Sequence, residues 1–310
     1  MVKRYLLPNT KQYKANLHCH TCISDGKLTP EEVKEAYTAK GYSVVAFTDH
    51  ERICSHQDLN DENFIAVTGY EYSLNPLPTE ERPTNNDNKC YHMNFYAKNP
   101  HEDRQICFQR ECVEWLYKRW QKDWEWAAQV NAVGEVRRYD YHTEAQLIID
   151  TARENGYLVS INHPYWSLQP HMDYFNLKGL TAIEVYNSGC GIISGHAWYD
   201  YGLFCELNRD ENVCPFASDD NHNKGSDMYD DSFGGYTMIC TDSFSYDGII
   251  SALENGSVYA STGIDFKEIS VCDGKLHAEF TECTECIVYF GARKWKKVSD
   301  FSGITIHTGC

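Results

Sequence analysis

Six histidines and three carboxylates stand at or just beyond the ends of short apolar runs, and no other feature limits the possible folds as strongly. The first run carries His18 and His20, two residues apart, so on a strand both imidazoles point to one side. Asp25 follows in the turn Ser24-Asp25-Gly26. The next run ends Thr48-Asp49-His50, the third ends Gly69-Tyr70-Glu71, and the fourth opens on His92. Asn162-His163-Pro164 and Ser218-Asp219-Asp220-Asn221-His222 complete the set, with Asp220 and His222 again two apart. Taken singly, a histidine beside a strand is usually packing and an Asp-Gly pair is usually a turn. Taken together they point to a site assembled at strand ends, the place where barrel folds carry their chemistry. A mixed nitrogen and oxygen set suits zinc, manganese or iron and is too nitrogen-rich for calcium. Nine ligands exceed the needs of one ion, so two or three divalent ions sharing a bridging carboxylate are expected.

The runs themselves read as strands over 15–20, 44–48, 64–71, 92–97, 158–163, 182–186, 214–218 and 236–240. Between several of them lie helices. Thr29 caps and Pro30 opens a helix over 31–40 that stops at Gly41. Further helices are predicted over 143–155 before Gly156, over 196–209, and over 246–254 before Asn255-Gly256. Such alternation implies a largely parallel sheet, and about eight units suggest closure into a barrel. Two segments interrupt it. Residues 76–91 are rich in Pro and Asn and read as a solvent loop. Residues 101–141 form a Trp-rich insertion in which Trp115, Trp120, Trp124 and Trp126 sit on a long helix, either packing it onto the barrel or serving as a lid. From 263 onward the pattern turns to alternating strands with Asp273-Gly274 as a hairpin turn, a small β appendage.

Charge sets the partner class. The 310-residue chain has 45 Asp and Glu against 28 Lys and Arg, a formal charge of -17. That disfavours a long grip on nucleic-acid backbone, which needs a basic surface. A small anionic substrate stays open, because bound ions invert the local field. No apolar run is long enough to span a bilayer, and residues 1–16 do not read as a secretory signal. The 14 Cys then suggest reduced thiols and a cytoplasmic location. The pairs Cys19/Cys22 and Cys283/Cys286 lack partners at zinc-finger spacing and read as incidental thiols.

These motifs together resemble the PHP (polymerase and histidinol phosphatase) superfamily over roughly residues 14–262. The stretches 179–187, 217–220 and 252–263 are similar to the CehA/McbA-type branch of PHP metallohydrolases. The resemblance implies a distorted (β/α)7 PHP barrel over 1–262, with the insertion at about 101–141, and a small C-terminal β appendage over 263–310. It assigns His18, His20, Glu71 and Asp220 to a first metal ion, with Asp220 favoured over Asp219 by its spacing to His222. Glu71 would bridge to a second ion held by His92 and His163, and Asp25, His50 and His222 would hold a third. The implied activity is hydrolysis of a small or terminal phosphoester by a metal-bridging hydroxide, with Mn²⁺, Fe²⁺ or Zn²⁺ at a di- or trinuclear site. Carboxyl or carbamate ester or amide hydrolysis is the enzymatic alternative, and a metal-stabilised binding module is the non-enzymatic one. Candidate further residues are His196 as the acid that protonates the leaving group, Arg52 as a substrate contact, and Glu184 as a support for the ligands.

Overall fold

The structure is a computed structural model that describes residues 2–6, 9–74, 89–136, 141–174, 176–207, 212–291 and 294–307. The first half contains β1 (Val2–Leu6), β2 (Gln12–Asn16), α1 (Pro30–Thr38), β3 (Val44–Phe47), β4 (Ile65–Leu74) and β5 (Tyr91–Ala97). The insertion contains β6 (Arg104–Ile106), α2 (Arg110–Arg119) and β7 (Asn131–Val133), followed by α3 (Tyr141–Glu154). Next come β8 (Tyr157–Ile161), β9 (Ala182–Asn187), α4 (Ser188–Ser194), α5 (Tyr201–Leu207), β10 (Cys214–Ser218), β11 (Tyr236–Cys240), α6 (Tyr246–Asn255) and β12 (Val258–Ser261). The chain ends in β13 (Phe266–Cys272), β14 (Lys275–Gly291) and β15 (Lys294–His307).

Nine strands form one sheet in the order β10-β9-β8-β5-β4-β3-β2-β11-β12. It is a mixed sheet rather than the largely parallel one expected. β2, β3 and β4 run parallel, as do β8, β9 and β10, but β5 is antiparallel to both its neighbours, and β11 is antiparallel to β2 and β12. The sheet curls until its ends nearly meet. At the seam Thr237 Oγ1 of β11 donates to the Ala217 carbonyl of β10 at 3.0 Å and accepts from the Ala217 amide at 3.1 Å. Beyond the seam the Asp220 amide donates to the His18 carbonyl at 2.9 Å and the His20 amide to the Asn221 carbonyl at 3.1 Å. Closure therefore splices the segment after β2 to the segment after β10.

Strand alternation divides the sheet into an inner face and an outer one. On β4, Ile65 and Val67 join a buried cluster with Ala15, Val44, Tyr96, Leu158 and Phe216, and the same face continues through Gly69 to Glu71. The intervening Tyr70 and Tyr72 pack outward with Phe95, Val159 and the α3 residues Ile148 and Ile149. On the other flank Val45, Phe47 and Ala66 pack on Val33 and Tyr37 of α1. The inner face thus runs from apolar residues to polar ones: Leu158, Ser160 and then Asn162 along and just past β8; Phe216, Ser218 and then Asp220 along and just past β10. Because β5 enters from the opposite end, its order is reversed, and His92 near its start is level with the last residues of its neighbours.

The local signals of the sequence behave as their chemistry requires. Thr29 accepts from the Glu32 amide at 3.3 Å while Glu32 Oε2 accepts from the Thr29 amide at 2.8 Å, a reciprocal capping box with Pro30 at the first helical position. Asp273 and Gly274 take positive φ of 47° and 72° between β13 and β14, as a tight hairpin turn demands. The four-stranded antiparallel sheet they belong to has the order β1-β13-β14-β15, so the N-terminal strand is paired with the last part of the chain.

Two helical expectations are corrected. The long Trp-rich helix is broken: α2 stops at Arg119, Gln121 takes a φ of 58°, and a short 3-10 turn over Glu125–Gln129 follows, where Asp123 Oδ1 accepts from the Glu125 amide at 2.9 Å. Trp120, Trp124 and Trp126 fold back on Val113 and Tyr117 in a satellite core. The helix expected from 196 starts later, its described part being α5 (Tyr201–Leu207). Asn187 caps α4 by accepting from the Cys190 amide at 2.7 Å, and Gly195, at a φ of 71°, ends it, so His196 follows a helix instead of starting one. The expected loop over 76–91 falls largely outside the described residues. No described helix is long and apolar enough to cross a membrane.

Gly69 separates the apolar and polar halves of β4, and a Cβ there would lie 2.5 Å from the Phe95 carbonyl oxygen on β5. Gly69→Ala is expected to lower stability by about 1–3 kcal/mol in urea unfolding, and Thr29→Ala by about 1 kcal/mol. An unchanged midpoint for Gly69→Ala would contradict this packing of β4 on β5.

Candidate metal centre

At the polar end of the inner face, nine side chains converge in three overlapping groups. One contains His18, His20, Glu71 and Asp220; a second contains Glu71, His92 and His163; a third contains His20, Asp25, His50 and His222. Within each group the potential ligand atoms lie within 4.8 Å of one another. The structure brings together all nine residues expected from the sequence, and it adds that His20 belongs to two groups. None of these three groups includes a cysteine.

Glu71 is the hub. Its Oε1 lies 3.1 Å from His92 Nδ1 and 3.2 Å from His163 Nε2, while its Oε2 lies 3.3 Å from His18 Nε2, 3.2 Å from His20 Nε2 and 3.1 Å from His50 Nδ1. One carboxylate oxygen therefore faces each of two imidazole sets, the arrangement a bridging ligand needs. Asp220 Oδ1 faces the same His18 and His20 nitrogens at 3.1 and 3.0 Å. Asp25 Oδ1 lies 3.3 Å from His222 Nε2 and 3.9 Å from His50 Nε2. The first two groups are sealed, with His18 and His20 at 0% exposure and Glu71 at 1%. The third is nearer the surface, with the His222 side chain 20% exposed.

The donor set fits divalent ions on two observations. His20 Nδ1, Asp25 Oδ1, His50 Nδ1, Glu71 Oε2, His92 Nε2 and Asp220 Oδ1 are buried without a hydrogen-bond partner. Such orphaned atoms are rare in protein interiors and call for an explanation. His18 Nε2 and His20 Nε2 also point at each other across 3.2 Å. Ligand atoms about 2.1 Å from a tetrahedral ion sit roughly 3.4 Å apart, close to these spacings.

The electrostatics describe the same cluster in terms of protons. Burial alone would depress the His20 pKa, but the adjacent Asp220 and Glu71 carboxylates outweigh it and raise it to about 9. His18 is raised likewise, burial being overcome by Asp220, Glu71 and Glu184. His50 goes the other way, down to about 3, because burial is reinforced by the neighbouring imidazoles of His20 and His92. Glu71 and Asp220 are held well below the usual carboxylate range, since the surrounding histidines outweigh the cost of burial. The centre is thus built for positive charge close to its carboxylates.

A second layer of polar groups aims the ligands. Glu184 Oε1 lies 3.1 Å from His18 Nδ1, and its Oε2 accepts from the His163 amide and from Asn187 Nδ2, both at 2.8 Å. This support turns Nε2 of His18 toward the cluster. Asn162 Nδ2 donates to Glu71 Oε1 at 3.0 Å, and Ser167 Oγ lies 3.0 Å from His163 Nδ1. His222 Nδ1 donates to the Asp220 carbonyl at 2.9 Å, leaving Nε2 for the Asp25 side. His163 and Asp220 take φ of 27° and 54°, left-handed backbone that non-glycine residues adopt at a cost.

Asp49 and Asp219 lie beside ligands in the sequence yet serve the scaffold. Asp49 Oδ1 accepts from the Thr21 amide, the Ser24 amide and Ser24 Oγ at 2.8, 3.0 and 2.6 Å, so it shapes the turn that presents Asp25. Gly26 completes that turn, for a Cβ there would lie 2.5 Å from the His20 carbonyl oxygen. Asp219 accepts from Ser188 Oγ at 2.6 Å, Tyr37 OH at 2.9 Å and the amides of Phe233 and Gly234 at 2.8 and 3.0 Å. It is saturated with donors, which leaves Asp220 as the one facing the imidazoles.

Of the other candidates, Arg52 lies over the Trp126 ring at 4.6 Å and so rests on the insertion. His196 is exposed and stacks on Tyr165 with ring centroids 3.8 Å apart, in a small cavity that His163 also lines. The insertion reaches the centre as well: Tyr117 OH donates to the His50 carbonyl at 2.8 Å and the Trp120 ring lies 5.4 Å from that of His50.

No protein-family model matches the chain. A 5'-3' exoribonuclease of Haemophilus influenzae is 36% identical over 70 residues, covering 21% of this chain, and the match spans only 25% of that protein's length. Among solved structures, a two-domain protein of Bacteroides vulgatus containing a predicted PHP-like metal-dependent phosphoesterase is 17% identical, with 97% of this chain and 87% of that one covered and a TM-score of 0.44. A lesion-specific endonuclease of Pyrococcus furiosus is 13% identical, with coverage of 81% and 58% and a TM-score of 0.48. An amidohydrolase of Chromobacterium violaceum with bound sulfate is 17% identical, with coverage of 69% and 89% and a TM-score of 0.41.

Glu71→Gln, supplied with Mn²⁺ or Zn²⁺, is expected to hold fewer ions per chain by elemental analysis than the wild type, because two groups share that residue. Asp219→Asn is expected to keep the wild-type ion content while losing about 2–3 kcal/mol of stability. Stripping ions with a chelator should lower the melting temperature, and restoring them to about 100 times their Kd should recover roughly 2.7 kcal/mol. Equal ion content in the wild type and Glu71→Gln would remove Glu71 from the bridging position.

Proposed function

We propose that this protein is a PHP-type metal-dependent hydrolase of the CehA/McbA-like kind, cleaving small or terminal phosphoesters at a di- or trinuclear centre. The observation that carries the reading is the division of Glu71: each oxygen faces a different set of imidazoles, so ions held on either side would be close enough to share one substrate group. Residues His18, His20, Glu71 and Asp220 would hold one ion, Glu71, His92 and His163 a second, and Asp25, His50 and His222, with His20, a third. Mn²⁺, Fe²⁺ and Zn²⁺ all suit this donor set. Bound there, such ions supply an activated water at neutral pH and stabilise charge on a phosphoryl oxygen.

The chain's own residues do the rest. Glu184, Asn162 and Ser167 fix the imidazole and carboxylate orientations before substrate arrives, so little reorganisation accompanies reaction. Burial of the first two groups excludes bulk water, and the more open third group faces incoming substrate. His196, in the cavity next to His163, is the candidate acid for the leaving oxygen, and Arg52 is a candidate substrate contact only if it leaves its place over Trp126. A formal charge of -17 favours small phosphoesters over long nucleic-acid tracts. With 14 Cys and a hydrolytic centre of this kind, we place the protein in the reducing cytoplasm.

Bis-p-nitrophenyl phosphate and p-nitrophenyl phosphate, assayed beside a p-nitrophenyl carboxylic ester and a carbamate, test the reading. Metal-dependent release of nitrophenol from a phosphoester is expected, lost with chelator and lowered at least about a hundredfold by Asp220→Ala. Turnover of the carbon esters alone would replace phosphoester hydrolysis with its carboxyl or carbamate alternative. Full activity in Asp220→Ala would sink the catalytic role of the centre and favour a binding module.

A further inference from the structure

The imidazole of His50 is aimed differently from those of His18, His163 and His222. In those three the far ring nitrogen, Nδ1, meets a polar group: Glu184, Ser167 and the Asp220 carbonyl respectively. On His50 both nitrogens face carboxylates, Nδ1 toward Glu71 Oε2 at 3.1 Å and Nε2 toward Asp25 Oδ1 at 3.9 Å. With both directed into the cluster, the orientation of the ring has to come from its backbone and from packing. The backbone beside it is also strained. Glu51 takes a φ of 56°, which a non-glycine residue keeps only where its surroundings enforce it.

The Trp-rich insertion supplies both. Tyr117 OH donates to the His50 carbonyl at 2.8 Å, Gln105 Nε2 donates to the Glu51 carbonyl at 2.5 Å, and Gln105 Oε1 accepts from the Ile53 amide at 3.4 Å. Arg52 rests on Trp126, and the Trp120 ring packs on His50 with centroids 5.4 Å apart and planes 32° apart. Each of the four residues from His50 to Ile53 is therefore held by the insertion. Lys122 Nζ reaches the Cys22 carbonyl at 2.8 Å, in the turn that leads to Asp25, so a second segment bearing a third-group ligand leans on the same excursion. The insertion is not built like a lid. Val113, Tyr117 and Ala127 are buried in a core of its own, with Leu116, Trp120 and Trp126 packed on them, whereas segments that open are drawn from poorly packed parts of a fold.

We infer that the insertion is a brace for the third ion site, with Tyr117, Trp120 and Gln105 as positioning residues that set the direction of His50. The inference rests on the metal-centre reading and deepens it. Ligands of the first two groups are aimed by Glu184, Asn162 and Ser167, whereas the third group is completed by a piece of chain outside the nine-stranded sheet. Whether the centre works with two ions or three then depends on the insertion.

Calorimetric titration of the chelator-stripped protein with Mn²⁺, with bound ions counted by elemental analysis, tests the brace through metal affinity instead of turnover. His50→Ala identifies the site concerned by weakening one class of ion. Tyr117→Phe, which removes a single oxygen, and Trp120→Ala are each expected to weaken that same class roughly tenfold and to leave the others within about twofold. Trp115→Ala lies on the same helix but packs against Arg119, and it is expected to change no class. Tyr117→Phe keeps the ring that fills the satellite core, so it alone decides if Trp120→Ala folds poorly. An unchanged His50-dependent class in both variants, or a uniform weakening of every class, overturns the brace while leaving metal-dependent hydrolysis intact. If His50→Ala alters no class, the third site falls and the brace with it, and a dinuclear centre remains. If the wild type takes up no ions, the hydrolase reading and the brace both fail.

Discussion

Everything at the polar end of this sheet is arranged around one buried carboxylate. Glu71 lies within 3.3 Å of ring nitrogens from five histidines, with its two oxygens serving different sets. A carboxylate at 1% exposure is costly unless positive charge accompanies it. Protons on His18, His20 and His92 are one source of that charge and divalent ions are another. The orphaned atoms around Glu71 favour the second, since protonated imidazoles well served by carboxylates would leave fewer buried donors and acceptors unpaired.

The architecture follows from the need to hold that many ligands at fixed spacing. No single strand offers more than two. The curled sheet supplies them from β4, β5 and the segments after β2, β3, β8 and β10, and the seam at Thr237 and Ala217 joins the ends of the series. Reversal of β5 lets a residue at a strand's beginning join residues at the ends of others. Backbone kept left-handed at His163 and Asp220 shows local conformational preference yielding to the site, a cost met by the packing around it.

Carboxylates here divide by what surrounds them. Asp49 and Asp219 are saturated by amides and hydroxyls and act as staples, Glu184 takes imidazole and amide donors and orients ligands, and Glu71 and Asp220 keep oxygens that nothing in the chain satisfies. Adjacent residues such as Asp219 and Asp220 differ in role because a turn sends one toward the α1 side and the other toward the imidazoles. The same sorting explains Arg52, whose neighbour sequence suggests the site but whose guanidinium lies on Trp126.

Signals confined to a few neighbouring residues were legible without a structure. The Thr29-Pro30 cap, the Gly256 stop, the Asp273-Gly274 turn and the two-residue spacing of His18 with His20 all depend on local geometry, and the nine candidate ligands were legible by residue type at the ends of apolar runs. Features decided by partners distant in the chain were not. The break in the Trp-rich segment, the end of α4 at Gly195, the direction of β5 and the pairing of β1 with β13 each depend on what a segment packs against, which periodicity does not encode. By itself the sequence determined which side chains have the chemistry to bind metal, because residue type and strand-end placement are local. Only the tertiary structure decided that Glu71 stands between two imidazole sets, that His20 is shared, and that Asp219 is a staple, because those roles are distances across a closed sheet.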